Sequence, residues 1–292
     1  MAQFGKMSRL RDRTLFERRT LRRVAVLLVL NAVLIGIVPE ASARSGAGAD
    51  GKFARRDSFH FTLYQDVALD EYGGFNGSRR FERELLKQLE SAYSKLDRIL
   101  GLRPDRKLVV YVWDPAIFET EFSGLFRFPA AGFYGGSIHV RGATSVTSDL
   151  IRVLHHEMVH AAFDAEAPRV VLPAWMNEGI AEWFEARALG KRGLSSYERH
   201  VLEDAGKAGQ LFSLQQLSVP TLAGFSTNAA ALAYLESYGF IAYLVDAHGE
   251  NKLVRFWSAL FQSRSLERAS RRAYGRDFED LEARYFKSLG VR

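Results

Sequence analysis

Phe81, Leu85, Leu89, Tyr93, Leu96 and Leu100 recur every three or four residues with Arg, Lys and Glu between them, which predicts one buried face of a long helix. Gly101 and Pro104 stop it. Before it, Phe59, Phe61 and Leu63 alternate with polar positions as a half-buried strand does, and a glycine-containing loop over 73–77 joins the two. After it, the run over 108–112 is continuously apolar and too short for a helix, so it predicts a central strand. The segment 131–140 has strand character but three glycines, which permit another backbone to come close. It reads either as an edge strand that lines a cleft and pairs with an extended substrate or as a hairpin with no such role. Helical spacing then takes over: 147–163, 175–188, 195–206, a strongly apolar 229–247 ending at Gly249, and two or three amphipathic helices within 251–288, with 220–227 as loop. Strands early and helices late, without an internal repeat, make this an α+β chain. A single domain over 59–292 is expected, with a mixed part over 59–165 and a helical part over 166–292.

The N-terminus follows a different pattern. Residues 1–23 are rich in Arg, an apolar run over 24–38 is broken only by Asn31 and Gly36, and Ala41-Ser42-Ala43 follows. A positive region, a short apolar region and a small-x-small site make a secretory signal peptide, cleaved after Ala43. The protein is thus expected to be exported, to a periplasm or beyond, with the mature chain entering through a flexible linker over 44–58. The minority reading is an uncleaved membrane anchor over 24–38, a run short for a spanning helix. Arg18-Arg19-Thr20-Leu21 also loosely fits a twin-arginine export pattern, and the general secretory route is favoured over it.

Charge adds little beyond this. The formal net charge is +6, and residues 1–43 account for +5 of it, so the folded part is nearly neutral and no nucleic-acid partner is expected. Cysteine is absent, which excludes disulfides, a thiolate nucleophile and cysteine-bound zinc. Any metal must be held by histidine and carboxylate, and of the seven histidines only His155, His156 and His160 cluster.

His156-Glu157-Met158-Val159-His160 lies on the helix over 147–163. Residues four apart share a face about 6 Å along the axis, so His156 and His160 can offer two imidazoles to one zinc ion, with Glu157 beside them to take a proton from water. A third ligand is required. A histidine six residues after His160 is ruled out, because Glu166 stands there. The nearby carboxylates are Asp164, Glu166, Glu178, Glu182 and Glu185. The first two are too close unless the helix ends abruptly, whereas Glu178 opens a second helix after Pro173 in which Gly179 and Ala181 allow close packing. Glu182, one turn on, is placed to hold the outer nitrogen of a histidine, or else to face solvent; Glu185 is read as surface.

These residues carry a resemblance. The HExxH segment followed by Trp175-Met176-Asn177-Glu178-Gly179-Ile180-Ala181-Glu182-Trp183 resembles the gluzincins, zinc peptidases whose third ligand is a glutamate, and is most similar to small stand-alone bacterial peptidase MA-like domains. The resemblance spans nearly all of 59–288. It implies a zincin-like fold with the metal site between its two parts, one zinc ion on His156, His160 and Glu178, Glu157 as acid and base, and Tyr234 at the family's later tyrosine. It also implies a peptide or protein substrate. Gly135-Gly136-Ser137-Ile138-His139 departs from the Gly-x-Met-Glu-Asn motif of the related aminopeptidases, so binding of a free amino terminus is unsupported and an endopeptidase is expected.

In that reading Glu157 takes a proton from the attacking water and passes it to the leaving nitrogen, and Tyr234, preferred over Tyr238, donates to the developing oxyanion. The competing reading is a non-hydrolytic zinc-binding protein of the cell envelope, a binding or chaperone-like module. A purely structural zinc site has no use for Glu157 and ordinarily closes with a fourth protein ligand.

Overall fold

A computed structural model describes residues 30–33, 53–67, 74–168 and 170–291. The Arg-rich start, most of the apolar run and the Ala41-Ser42-Ala43 site lie outside the described residues. Among those described, a mixed sheet has the order β1-β5-β6-β4-β3-β2, formed by β1 (Leu30–Val33), β2 (Ala54–Asp57), β3 (Phe61–Asp66), β4 (Leu108–Trp113), β5 (Ala130–Tyr134) and β6 (Ile138–Arg141). Strands β3, β4 and β6 run parallel, while β2 and β5 are antiparallel to their neighbours β3 and β6. β1 lies within the apolar run of the N-terminus and pairs in parallel with β5.

Alternation along the strands gives the sheet two apolar faces. Val110, Val112, Ile138 and Val140 point to the main core, under α1 (Gly74–Leu100) and α3 (Ser148–Glu166). Trp113 and Phe133 point the other way, into a smaller cluster closed by Phe118 and Phe122 of α2 (Pro115–Phe122). Asp114 caps α2, accepting the Ala116 N–H, and Pro115 sits in the first turn, where no N–H is needed.

His139 is buried in the second cluster. Its ring stacks between Tyr111 and Phe133 at centroid distances of 5.0 and 4.9 Å, and its Nδ1 accepts from the Trp113 indole N–H at 3.1 Å. Burial pushes its pKa down to about 4. The unfolded chain, with its histidine near the ordinary value, therefore takes up this proton first. The stability His139 permits is intact above about pH 6.5 and is lost as pH falls toward 4. In urea unfolding of metal-free protein, stability at pH 4.5 relative to pH 7 is expected to recover by roughly 2 kcal/mol in His139→Gln compared with wild type.

The face of α1 follows the sequence pattern, with Leu85, Leu89, Leu96 and Leu100 fully buried. Two expectations are corrected here. α1 begins at Gly74, inside the stretch read as loop, because glycine carries no apolar period to announce a helix. β2 lies inside the stretch read as linker; Ala54, Arg55, Arg56 and Asp57 form an edge strand whose ladder to β3 needs no apolar face.

The second half is helical, as expected: α4 (Ala174–Ala188), α5 (Ser196–Lys207), α6 (Thr227–His248), α7 (Glu250–Ser263), α8 (Leu266–Tyr274) and α9 (Phe278–Ser288). Ser195 and Glu198 form a capping box on α5, and Ser226 caps α6. Trp175, wholly buried, stacks on Phe278 at 5.3 Å and meets Phe240 edge-on at 5.3 Å, anchoring the start of α4 against α6 and α9. Among the described residues no helix is long and apolar enough to cross a membrane.

Candidate metal centre

Two helices, α3 and α4, supply the site, and a third, α6, closes over it. Thr147 caps α3 by accepting the Leu150 N–H at 3.2 Å, and the middle of the helix is buried on every side, so polar residues there need partners within the protein. Along α3, Arg152, His156 and His160 recur every four residues; along α4, Glu178, Glu182 and Glu185 recur at four and three. The two stripes face each other with the helices running in opposite directions. Arg152 meets Glu185, His156 meets all three glutamates, and His160 meets Glu178.

Gly179 makes this arrangement possible from behind. A Cβ there would stand 2.5 Å from the Ser237 carbonyl oxygen of α6, so only glycine lets α4 lie this close, with Glu178 turned to the histidines and Tyr234 of α6 brought over them. The notch is backbone against backbone, and no side-chain rotation relieves it.

The inner nitrogens converge. Glu178 Oε2 lies 3.2 Å from His156 Nε2 and 3.6 Å from His160 Nε2. One atom from each of the three residues falls within 4.8 Å of the others. Tetrahedral zinc at about 2.0–2.1 Å from each ligand atom separates those atoms by roughly 3.3 Å, so the spacing fits a metal with little movement. His160 Nε2 has no hydrogen-bond partner, whereas its Nδ1 faces Asn177 Oδ1 at 3.0 Å. With Nδ1–H donating to Asn177, the Nε2 lone pair is free for a metal. Asn177 was not singled out as a site residue in the sequence, although it immediately precedes Glu178.

The charge points the same way. Glu157, Glu178, Glu182 and Glu185 are all buried here, and Arg152 is the cation paired among them. Burial, and then the charges of Glu178, Glu185 and Glu182, push Glu157 well above the usual carboxylate range. Burial and the neighbouring Glu185 push Glu182 up to about 8. At Glu178 burial is outweighed by His160 and His156, and its pKa falls to about 2. Burial opposes a charge on His156, yet Glu178, Glu185, Glu182 and Glu157 together hold it well above the usual value. Such a concentration of buried negative charge calls for a cation, a role that a proton or a divalent ion can fill.

Glu157 is fully buried and neither of its oxygens has a hydrogen-bond partner. Tyr234 is also fully buried, its ring 6.5 Å from that of His156 and its hydroxyl without a partner. Burial, with the charges of Glu178, Glu157 and Glu182, pushes its pKa well up, so it stays a proton donor. Tyr238, one turn on, faces elsewhere: it lines a cavity of about 450 Å³ with Arg152, Glu182, Glu185 and Lys191, and the Lys191 ammonium lies 4.8 Å above its ring. His155 turns its Nδ1 to the Ile151 carbonyl at 2.7 Å and takes no part in the cluster.

The structure therefore brings together His156, Glu157, His160, Glu178, Glu182 and Tyr234. It corrects the reading of Glu185 as surface: the residue is buried, paired with Arg152 at 3.0 Å, and 3.6 Å from His156 Nδ1. Its place seven residues after Glu178, on the same helical face, is the signal that could have found it.

Comparison with known families places residues 90–290 in a match to the Peptidase MA superfamily, which takes in β4–β6 and all of the helices from α2 onward. No curated protein matches the chain.

Proposed function

The chain belongs to the peptidase MA superfamily, and from that premise we propose that it is an exported, zinc-dependent endopeptidase that cleaves peptide or protein substrates. One observation carries the reading: His156 Nε2, His160 Nε2 and Glu178 Oε2 converge at metal-ligand spacing beside Glu157, whose carboxyl is engaged by nothing else.

A zinc ion on His156, His160 and Glu178 would supply Lewis acidity, polarising the substrate carbonyl and making a water easier to deprotonate. Glu157 takes the proton as the water oxygen forms its bond to the carbonyl carbon. It then delivers that proton to the amide nitrogen as the carbon–nitrogen bond breaks, so the carboxylate is restored. Tyr234 donates its hydroxyl proton in a hydrogen bond to the oxyanion that develops on the carbonyl. Asn177 holds His160 by its outer nitrogen, and Glu182 stands 3.6 Å from the outer nitrogen of His156.

Export rests on residues 1–43. Cleavage after Ala43 would also take β1 out of the sheet and leave β5 as an edge strand able to pair with an extended chain, which favours an endopeptidase. The second reading, a non-hydrolytic zinc-binding envelope protein, leaves Glu157 and Tyr234 without a task.

The test is metal analysis with hydrolysis of an unfolded protein substrate. The mature chain from Arg44 is expected to hold one zinc per chain, to lose hydrolysis when a chelator strips the metal, and to regain it on adding zinc. Stoichiometric zinc without hydrolysis of any of a panel of unfolded proteins would favour the second reading.

A further inference from the structure

The outer nitrogen of His156 is in an unusual position. Its Nδ1 lies 3.6 Å from Glu182 Oε1 and 3.6 Å from Glu185 Oε2. All three atoms are buried and lack a hydrogen-bond partner. The two carboxylates differ in one respect: the other oxygen of Glu185 accepts from Arg152 Nη1 at 3.0 Å. Arg152 stands four residues before His156 on the same face of α3 and lines the cavity beside the site, its Nη1 bonded to Glu185 and its Nη2 buried without a hydrogen-bond partner.

We propose that Arg152 and Glu185 are positioning residues acting as one unit on His156: the guanidinium fixes the orientation of the Glu185 side chain, and Glu185 faces the Nδ1–H of His156 so that its Nε2 lone pair is turned toward the metal site beside Glu178. A carboxylate tied to a guanidinium is a better-placed partner than an unpaired one in the same buried place, because its orientation is fixed and its burial costs less. Removing Arg152 leaves the buried Glu185 without its partner, and removing Glu185 leaves Arg152 without its side-chain hydrogen bond. The pair assigns a purpose to an arginine that the hydrolytic mechanism does not use and to a glutamate beyond the partner already given to His156. The inference rests on the reading of His156 as a zinc ligand.

The test is zinc affinity, measured by competition with a chromophoric chelator, in the full mature chain and in Glu185→Gln, Arg152→Met and the double variant. Each single variant is expected to bind zinc about tenfold more weakly. The double variant is expected to bind no more weakly than either single one, because the two residues form one unit. Arg152→Lys is expected to recover most of the loss. Cobalt substituted for zinc reports ligand geometry directly, and its visible absorption bands are expected to shift in Glu185→Gln. The thermal midpoint of the metal-free variants separates an effect on the metal from a general loss of fold. Zinc affinities within twofold of wild type in both single variants, or losses that add in the double variant and follow the metal-free midpoints, overturn the proposal. Wild-type protein that takes up no zinc overturns the metallopeptidase reading as well; wild-type protein that binds zinc while the variants match it overturns this inference alone.

Discussion

Glu157→Gln is expected to keep its zinc and lose hydrolysis of unfolded protein by at least a hundredfold, on the order of 10³-fold. Glutamine matches glutamate in size but cannot take a proton from water or return it to a leaving nitrogen, and a peptide amine leaves poorly without that proton. The metal should stay because Glu157 is not among the three residues whose ligand atoms converge. Stability gives an independent check on whether the loss is chemical. In the metal-free protein Glu157 has a folded pKa well above its unfolded value, so the folded state costs progressively more as pH rises past about 4.5. Glutamine removes that cost, and the metal-free variant is expected to melt no lower than wild type at pH 7. Loss of activity together with a lower melting point, or activity within a few-fold of wild type, would sink the role given to this residue.

The metal-bearing part of the fold was legible because its residues are regular. Helical spacing across 147–163 is realised as α3, and Thr147, Ser195 and Ser226 stand at helix starts where their side chains cap them. The apolar run over 108–112 is β4, at the centre of the sheet, where a strand covered on both faces needs no polar alternation. What stayed hidden has a physical cause in each case. β2 is a charged edge strand held by backbone hydrogen bonds, which leave no side-chain signature. The burial of Glu185 and its pairing with the half-buried Arg152 depend on two helices meeting face to face, and single-helix reasoning assigns charged residues to solvent by default. The stripes were present in the sequence as positions four and three apart, but nothing in one stripe reveals the other. Gly179 was seen as a small residue favouring close packing; which backbone it admits, that of Ser237 on α6, follows only from the tertiary fold. The hairpin of β5 and β6, with Gly136 at φ +84° in its turn, accounts for one of the three glycines read in that segment. Gly132 is explained by Val153 of α3, whose methyl would lie 2.7 Å from a Cβ there, so β5 can rest against the histidine helix.

Replacing Glu178 by alanine is expected to weaken zinc binding by on the order of 10²- to 10³-fold and to abolish the stabilisation that added zinc gives the wild type. The carboxylate is the one group of α4 that faces both inner nitrogens, at 3.2 and 3.6 Å, so its removal leaves two imidazoles on α3 and nothing opposite them. Glu182 cannot replace it, because Glu182 lies against the outer nitrogen of His156 rather than the inner one. Wild type should therefore melt at increasing temperature as free zinc rises, while Glu178→Ala should show no such rise over the same range. Glu166→Ala provides the contrast. Glu166 was the other kind of candidate for the third ligand, a carboxylate soon after His160, and it stands at the last position of α3, outside the groups able to hold a metal. Its replacement should leave zinc affinity and the zinc-dependent melting shift as in wild type. A zinc-dependent rise retained in Glu178→Ala, or lost in Glu166→Ala, would move the third ligand elsewhere and with it the link between the two helices on which the metallopeptidase reading depends.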